Sequence, residues 1–156
     1  MPARRRLLLI HAGHAGGRTF RLRDALVEGV RTCEDEVELR VRPALEAGLD
    51  DLLWAEALLI GTPEHFGYMA GAIKDFLDRT FYPVAGRTEG LPYALVVSAG
   101  NDGTGAVRSI ERIVPGYRWR AVAEPLIVVG EPDVVALERA RELGQTVAAS
   151  LALGVI

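Results

Sequence analysis

The residues able to do chemistry gather in three short stretches, each following an apolar run. The first reads His11-Ala12-Gly13-His14-Ala15-Gly16-Gly17-Arg18-Thr19. Its glycines let the backbone turn N–H groups inward, and a helix starting behind them aims its positive end at the same point. That donor set suits a terminal phosphate. It is not a Walker loop, since no Gly-Lys-Ser/Thr follows, and the Gly-x-Gly-x-x-Gly spacing is absent. The second stretch is Gly61-Thr62-Pro63-Glu64-His65-Phe66-Gly67-Tyr68-Met69-Ala70-Gly71, and the third Ser98-Ala99-Gly100-Asn101-Asp102-Gly103-Thr104-Gly105. All three exceed the roughly 2–6 residues that helix-sheet connections usually need.

Other reactive side chains narrow the chemistry by exclusion. His11, His14 and His65 all fall in the first two stretches, yet no acidic or cysteine ligand shares metal-type spacing with them. His65 or His14 suits proton donation, because imidazole titrates near neutrality; a solvated histidine with no role is an equally open reading. Cys33 precedes Glu34-Asp35-Glu36 at the end of a helical segment. Three carboxylates and a helix carboxyl end disfavour its thiolate, so it is not a nucleophile and an amidotransferase reading fails. No acidic cluster follows the first apolar run, as a receiver domain would require. Arg108 and Arg112 lie one helical turn apart and either meet a nicotinamide phosphate or form a solvated basic face.

Hydrophobic patterning supplies the elements that must position these stretches. Leu7–Ile10, Ala57–Ile60, Ala94–Val97 and Leu126–Val129 are continuous apolar runs, which suit parallel strands covered on both faces. Val37, Leu39 and Val41 alternate with Glu38, Arg40 and Arg42, the pattern of a half-exposed edge strand. Helical spacing follows each run, as in Leu22, Leu26 and Val30, or Val107, Ile110, Ile113 and Val114. Asp50 is expected to cap a short helix through Leu53 and Trp54, and Lys74–Asp78 to form a surface pair. Strict β-α alternation implies one doubly wound α/β domain over residues 1–156, with right-handed crossovers. Ligands of such sheets bind at the carboxyl ends of strands, where the three stretches meet.

The second stretch runs on into Ala72-Ile73-Lys74-Asp75-Phe76-Leu77-Asp78-Arg79. Thr-Pro, Gly-x-Met-x-Gly and Lys-x-Phe-x-Asp-Arg in this order resemble the flavodoxin-like NAD(P)H-dependent FMN reductase and quinone reductase family. The third stretch looks like that family's other flavin-contacting loop, and the resemblance extends over essentially the whole chain. It implies a flavodoxin-like three-layer sandwich with five parallel strands in the order 2-1-3-4-5. It also implies FMN at the carboxyl edge, its phosphate held by His11, Gly13, His14, Ala15, Gly16, Gly17, Arg18 and Thr19. The isoalloxazine would lie between Thr62, Pro63, Glu64, His65, Phe66, Gly67, Tyr68 and Met69 on one side and Ser98, Ala99, Gly100, Asn101 and Gly103 on the other. Such a ring needs backbone donors near its N1 and O2, because reduction puts negative charge there.

On this resemblance NAD(P)H is the co-substrate and a quinone or similar small molecule the acceptor; of the histidines suited to proton donation by their titration range, His65 is the catalytic candidate. The resemblance further implies a homodimer or higher homo-oligomer, for which Phe81-Tyr82-Pro83 offers an aromatic patch. One departure stands out: Ala12 and Ala15 occupy positions where the family carries phosphate-binding hydroxyls, leaving Thr19 and Arg18. A one-electron flavodoxin-type carrier and a module with weak or lost FMN binding therefore stay open. Carriers of that kind are strongly acidic, and a net charge of -3 over 156 residues is mild. The same mildness argues against nucleic acid. The single cysteine and the shortness of every apolar run, well under roughly 20 residues, lead us to expect a cytoplasmic protein without membrane insertion.

Overall fold

The computed structural model describes residues 2–156. The apolar runs form the interior of β1 (Arg5–His11), β3 (Ala57–His65), β5 (Pro92–Ala99) and β7 (Leu126–Val129), and the alternating segment forms β2 (Val37–Pro43). Two further strands have only two residues each, β4 (Tyr68–Met69) and β6 (Arg120–Ala121). The helices are α1 (Arg18–Arg31), α2 (Leu49–Trp54), α3 (Gly71–Val84), α4 (Thr104–Tyr117) and α5 (Val134–Leu153).

The sheet runs β2-β1-β3-β5, with β6 and β7 both pairing parallel to β5 at the far edge. β6 and β7 are two halves of one interrupted strand, so the expected order stands while the strand count rises to seven. Between them lies Pro125, which has no N–H to give a ladder. The seventh strand, β4, folds back antiparallel on β3. The second stretch, expected to be a loop from Gly61, is thus mostly an extension of β3 and a tight hairpin.

Both sheet faces are covered. Leu8, Ile10, Leu58, Ile60, Leu95 and Val97 pack against α3 and α4. Their neighbours Leu7, Leu9, Leu59, Val96 and Val128 pack beneath α1 and α5. This alternation explains the continuous apolar runs, since every position of a central strand is interior. α1 and α5 cross closely at two glycines: a Cβ on Gly29 would overlap the Arg141 carbonyl, and one on Gly144 the Leu26 carbonyl.

Asp50 does not cap α2. Gly48 holds the cap position, and Asp51 in the first turn accepts the Gly48 N–H at 3.0 Å while pairing with Arg40 at 3.0 Å. A carboxylate at the third helical position reaches back to the cap; one at the second does not. Lys74 Nζ and Asp78 Oδ1 pair at 2.6 Å, as expected. Among the described residues, no helix is long and apolar enough to cross a membrane.

Candidate functional site

The carboxyl ends of β1, β3 and β5 open into a cleft of about 720 Å³, within the usual range for a small-molecule site. Its first wall is Ala12, Gly13, His14, Gly16, Gly17, Arg18 and Thr19. Gly13 and Gly16 have φ of 108° and 79°, which a residue with a Cβ rarely adopts. The Gly17 N–H donates to the His14 carbonyl at 3.0 Å, closing the turn, and Gly17 is the N-cap of α1. No side chain caps α1, so its leading N–H groups are left for a ligand or water.

The opposite wall comes from Pro63, Glu64, His65, Ala70, Gly71 and Ala72. Here α3 begins, also with no side-chain cap at Ala70. Two bare helix N-termini therefore border one cleft. The third loop lays Ser98, Ala99 and Gly100 along the floor. α4 differs: Glu64 accepts the N–H groups of Gly103 and Ala106, each at 3.0 Å, so its positive end is answered within the chain.

Several of the expected contact residues have partners within the chain or lie away from the cleft. His11 is 2% exposed and faces α1 rather than the cleft, with its ring edge-on to Phe20. Position 11 continues the β1 alternation onto that face, and burial, then the Arg23 guanidinium, push its pKa down to about 4. The Thr19 hydroxyl is engaged within the chain, its Oγ1 and Ser98 Oγ sharing a buried hydrogen bond of 2.7 Å. Thr62 and Met69 are hairpin supports. Thr62 Oγ1 donates to the Pro63 carbonyl and accepts the Ala70 N–H, while the Met69 N–H donates to Ser109 Oγ.

Ala15, Asn101 and Gly103 lie outside the cleft lining. Ala15 and Asn101 are exposed, and Gly103 is held by Glu64. Phe66 and Tyr68 do not line it either. Phe66 and Gly67 form the two-residue turn between β3 and β4 with φ of 54° and 71°, and Phe66 is fully exposed at its tip. Two positive φ values match the twist of a tight hairpin. Gly67 is needed for that angle, not for close approach, since a Cβ there would meet nothing. The close approach is at Gly105, where a Cβ would overlap the Gly67 carbonyl.

No motif or spacing points to Arg21 and Glu131. Glu131, on the loop after β7, pairs with Arg18 at 3.1 Å and with Arg21, and all three line the cleft. Those hydrogen bonds, from Arg21 first and then Arg18, hold the Glu131 carboxyl below its ordinary pKa.

Layering, strand order and a cleft at the carboxyl edge define a flavodoxin-like protein. The chain superposes on a flavodoxin from the domain Archaea with a TM-score of 0.80, at 22% identity, covering 93% of this chain and 98% of that one. For a WrbA-like flavodoxin from Agrobacterium tumefaciens the TM-score is 0.78, at 19% identity, over 96% and 98% of the two chains. A flavodoxin of Aquifex aeolicus (strain VF5) is 30% identical over 89 residues, which is 57% of this chain and 48% of that relative. The match thus spans about half that relative's length. The family model for NADPH-dependent FMN reductase matches residues 5–131, and the chain belongs to this family.

Proposed function

We propose that the cleft binds FMN and that the protein is an NAD(P)H-dependent oxidoreductase. The observation that carries this reading is the pair of bare helix N-termini, α1 and α3, bordering one cleft whose first loop turns on left-handed glycines. These donors fit the cofactor: the α1 end with Arg18 suits a phosphate dianion, and the α3 end with the Ser98–Gly100 backbone suits the ring's electron-rich edge. Held by these residues, FMN would supply the redox chemistry that links hydride from NAD(P)H to reduction of a quinone or similar acceptor. The chain's own part is to fix the phosphate through backbone N–H groups, to exclude water from the floor with the Thr19–Ser98 pair, and to orient the ring against Pro63 and Ala70. His65, on the rim, is the side chain we assign to proton donation toward the acceptor.

The Aquifex relative's name favours a second reading, a one-electron carrier. Reconstitution with FMN under anaerobic conditions, followed by addition of NADH or NADPH and then a benzoquinone, separates the two. Bleaching of bound flavin by either nucleotide, reversed by the quinone, is the expected result. Flavin that binds but is not bleached points to the carrier, and flavin that does not bind overturns both.

We also propose a homodimer, formed through the α3–α4 face where Tyr82 is 82% exposed beside Phe81. Light scattering at micromolar concentration with FMN present should give twice the chain mass, and a single-chain mass refutes it.

A further inference from the structure

Arg18 and Arg21 lie three residues apart in α1 and so share one helix face. Arg18 Nε meets Glu131 Oε1 at 3.1 Å, and Arg21 Nη2 donates to Oε2. Each carboxylate oxygen is held by a different guanidinium, while Arg21 Nε is buried with no acceptor. Backbone turns and helix ends do not account for this arrangement, which ties the α1 wall of the cleft to the loop after β7 across 113 residues of chain.

We propose that Glu131 is the specificity-determining residue at the anion end of the cleft, an internal carboxylate that a phosphate monoester dianion displaces from Arg18 and Arg21. This rests on the reading of the cleft as a flavin-phosphate site. Two guanidiniums against one carboxylate leave one positive charge over, and the α1 N-terminus adds a partial one. A dianion arriving while Glu131 stays in place makes this corner negative. With Glu131 turned away, the same dianion meets two full positive charges and gains the acceptor-free Arg21 Nε. The Glu131 side chain is 67% exposed and sits on a loop, so it can turn into water, whereas both arginines are anchored on a helix. A ligand without phosphate leaves the carboxylate undisturbed. Glu131 thus sets a threshold that only a strong anion crosses, and it lowers affinity for phosphate ligands while leaving that for phosphate-free ligands unchanged.

The test compares FMN and riboflavin binding, read by quenching of flavin fluorescence, in wild type, Glu131→Gln and Glu138→Gln. Glu138 lies on α5, outside the cleft, and controls for net charge. FMN should bind about five- to tenfold tighter to Glu131→Gln, the effect of one screened charge near contact. Riboflavin affinity should not change, and Glu138→Gln should match wild type. If both flavins bind but FMN binds Glu131→Gln no tighter than wild type, or gains equally in Glu138→Gln, the inference is overturned and the flavin reading stands. If no protein binds either flavin, the flavin reading falls and inorganic phosphate decides. A larger phosphate-induced rise in Tm for Glu131→Gln than for wild type then upholds the displacement, and an equal or smaller rise overturns it.

Discussion

His11 ends β1 on the face that α1 covers, and charging it there is costly. Its Nε2 lies 3.4 Å from the Arg23 guanidinium, and its Nδ1 has no partner. Burial and Arg23 lower its pKa from 6.5 to about 4. In that interval the unfolded chain takes up a proton that the folded one refuses, so stability is complete above pH 6.5 and falls as the pH drops toward 4. The loss amounts to up to about 3 kcal/mol. Urea unfolding at several pH values should show this slope in wild type and lack it in His11→Leu; equal slopes in the two proteins would count against it. Glu64 is a second residue whose role is set by its partners. Glu64→Gln should destabilise the protein by about 1–2 kcal/mol, because the charged acceptor at the N-terminus of α4 is lost. Unfolding by denaturant at neutral pH measures this, and a loss under a few tenths would refute the cap. Glycine-rich turns were legible at this scale, because glycine's backbone freedom is written in its identity. The partners of Thr19, Glu64 and Glu131 were not, since each bond joins residues that only the finished sheet brings together.

Elements were legible where burial is two-sided. The runs at β1, β3 and β5 read as strands because both faces of the sheet are covered, and β2 read as an edge because its pattern alternates; β7 has an equally apolar run but lies at the edge, with only Val128 buried. The β3–β4 hairpin escaped notice: Gly61, Thr62, Pro63 and Gly67 suggest a loop, and Phe66 is a poor residue for positive φ. The α1–α5 contact escaped too, although it fixes where the first cleft wall sits. Gly29 and Gly144 each lie against a carbonyl of the facing helix, where one methyl group forces the helices apart. Gly144→Ala should therefore cost about 3 kcal/mol despite alanine's better helix propensity. Alanine at Gly71, which faces open space in the first turn of α3, should cost far less. Denaturation midpoints of the two variants decide this, and equal midpoints would mean the crossing relaxes without penalty.

At the scale of the whole molecule, ligand binding and folding are linked, because the cleft exists only when β1, β3 and β5 are paired. A ligand that binds the folded chain alone adds about 2.7 kcal/mol at a hundred times its Kd. For a domain of this size, each kcal/mol is worth about 2–4 °C. Saturating FMN should thus raise Tm by about 5–10 °C. Riboflavin at the same concentration should raise it much less, because it leaves the N–H groups of α1 unanswered and Arg18 paired with Glu131. The two ligands share the ring, so the difference isolates the phosphate end. Ala12 lines that end and is 6% exposed, so Ala12→Ser should widen the gap by about one neutral hydrogen bond, roughly 0.5–1.5 kcal/mol. Ala15 is exposed and outside the lining, so Ala15→Thr should leave it unchanged. Calorimetric melting of wild type and both variants with each ligand makes the comparison on one scale. Equal shifts from FMN and riboflavin would mean that the phosphate is held elsewhere or not at all, and the assignment of the first loop would fall with it.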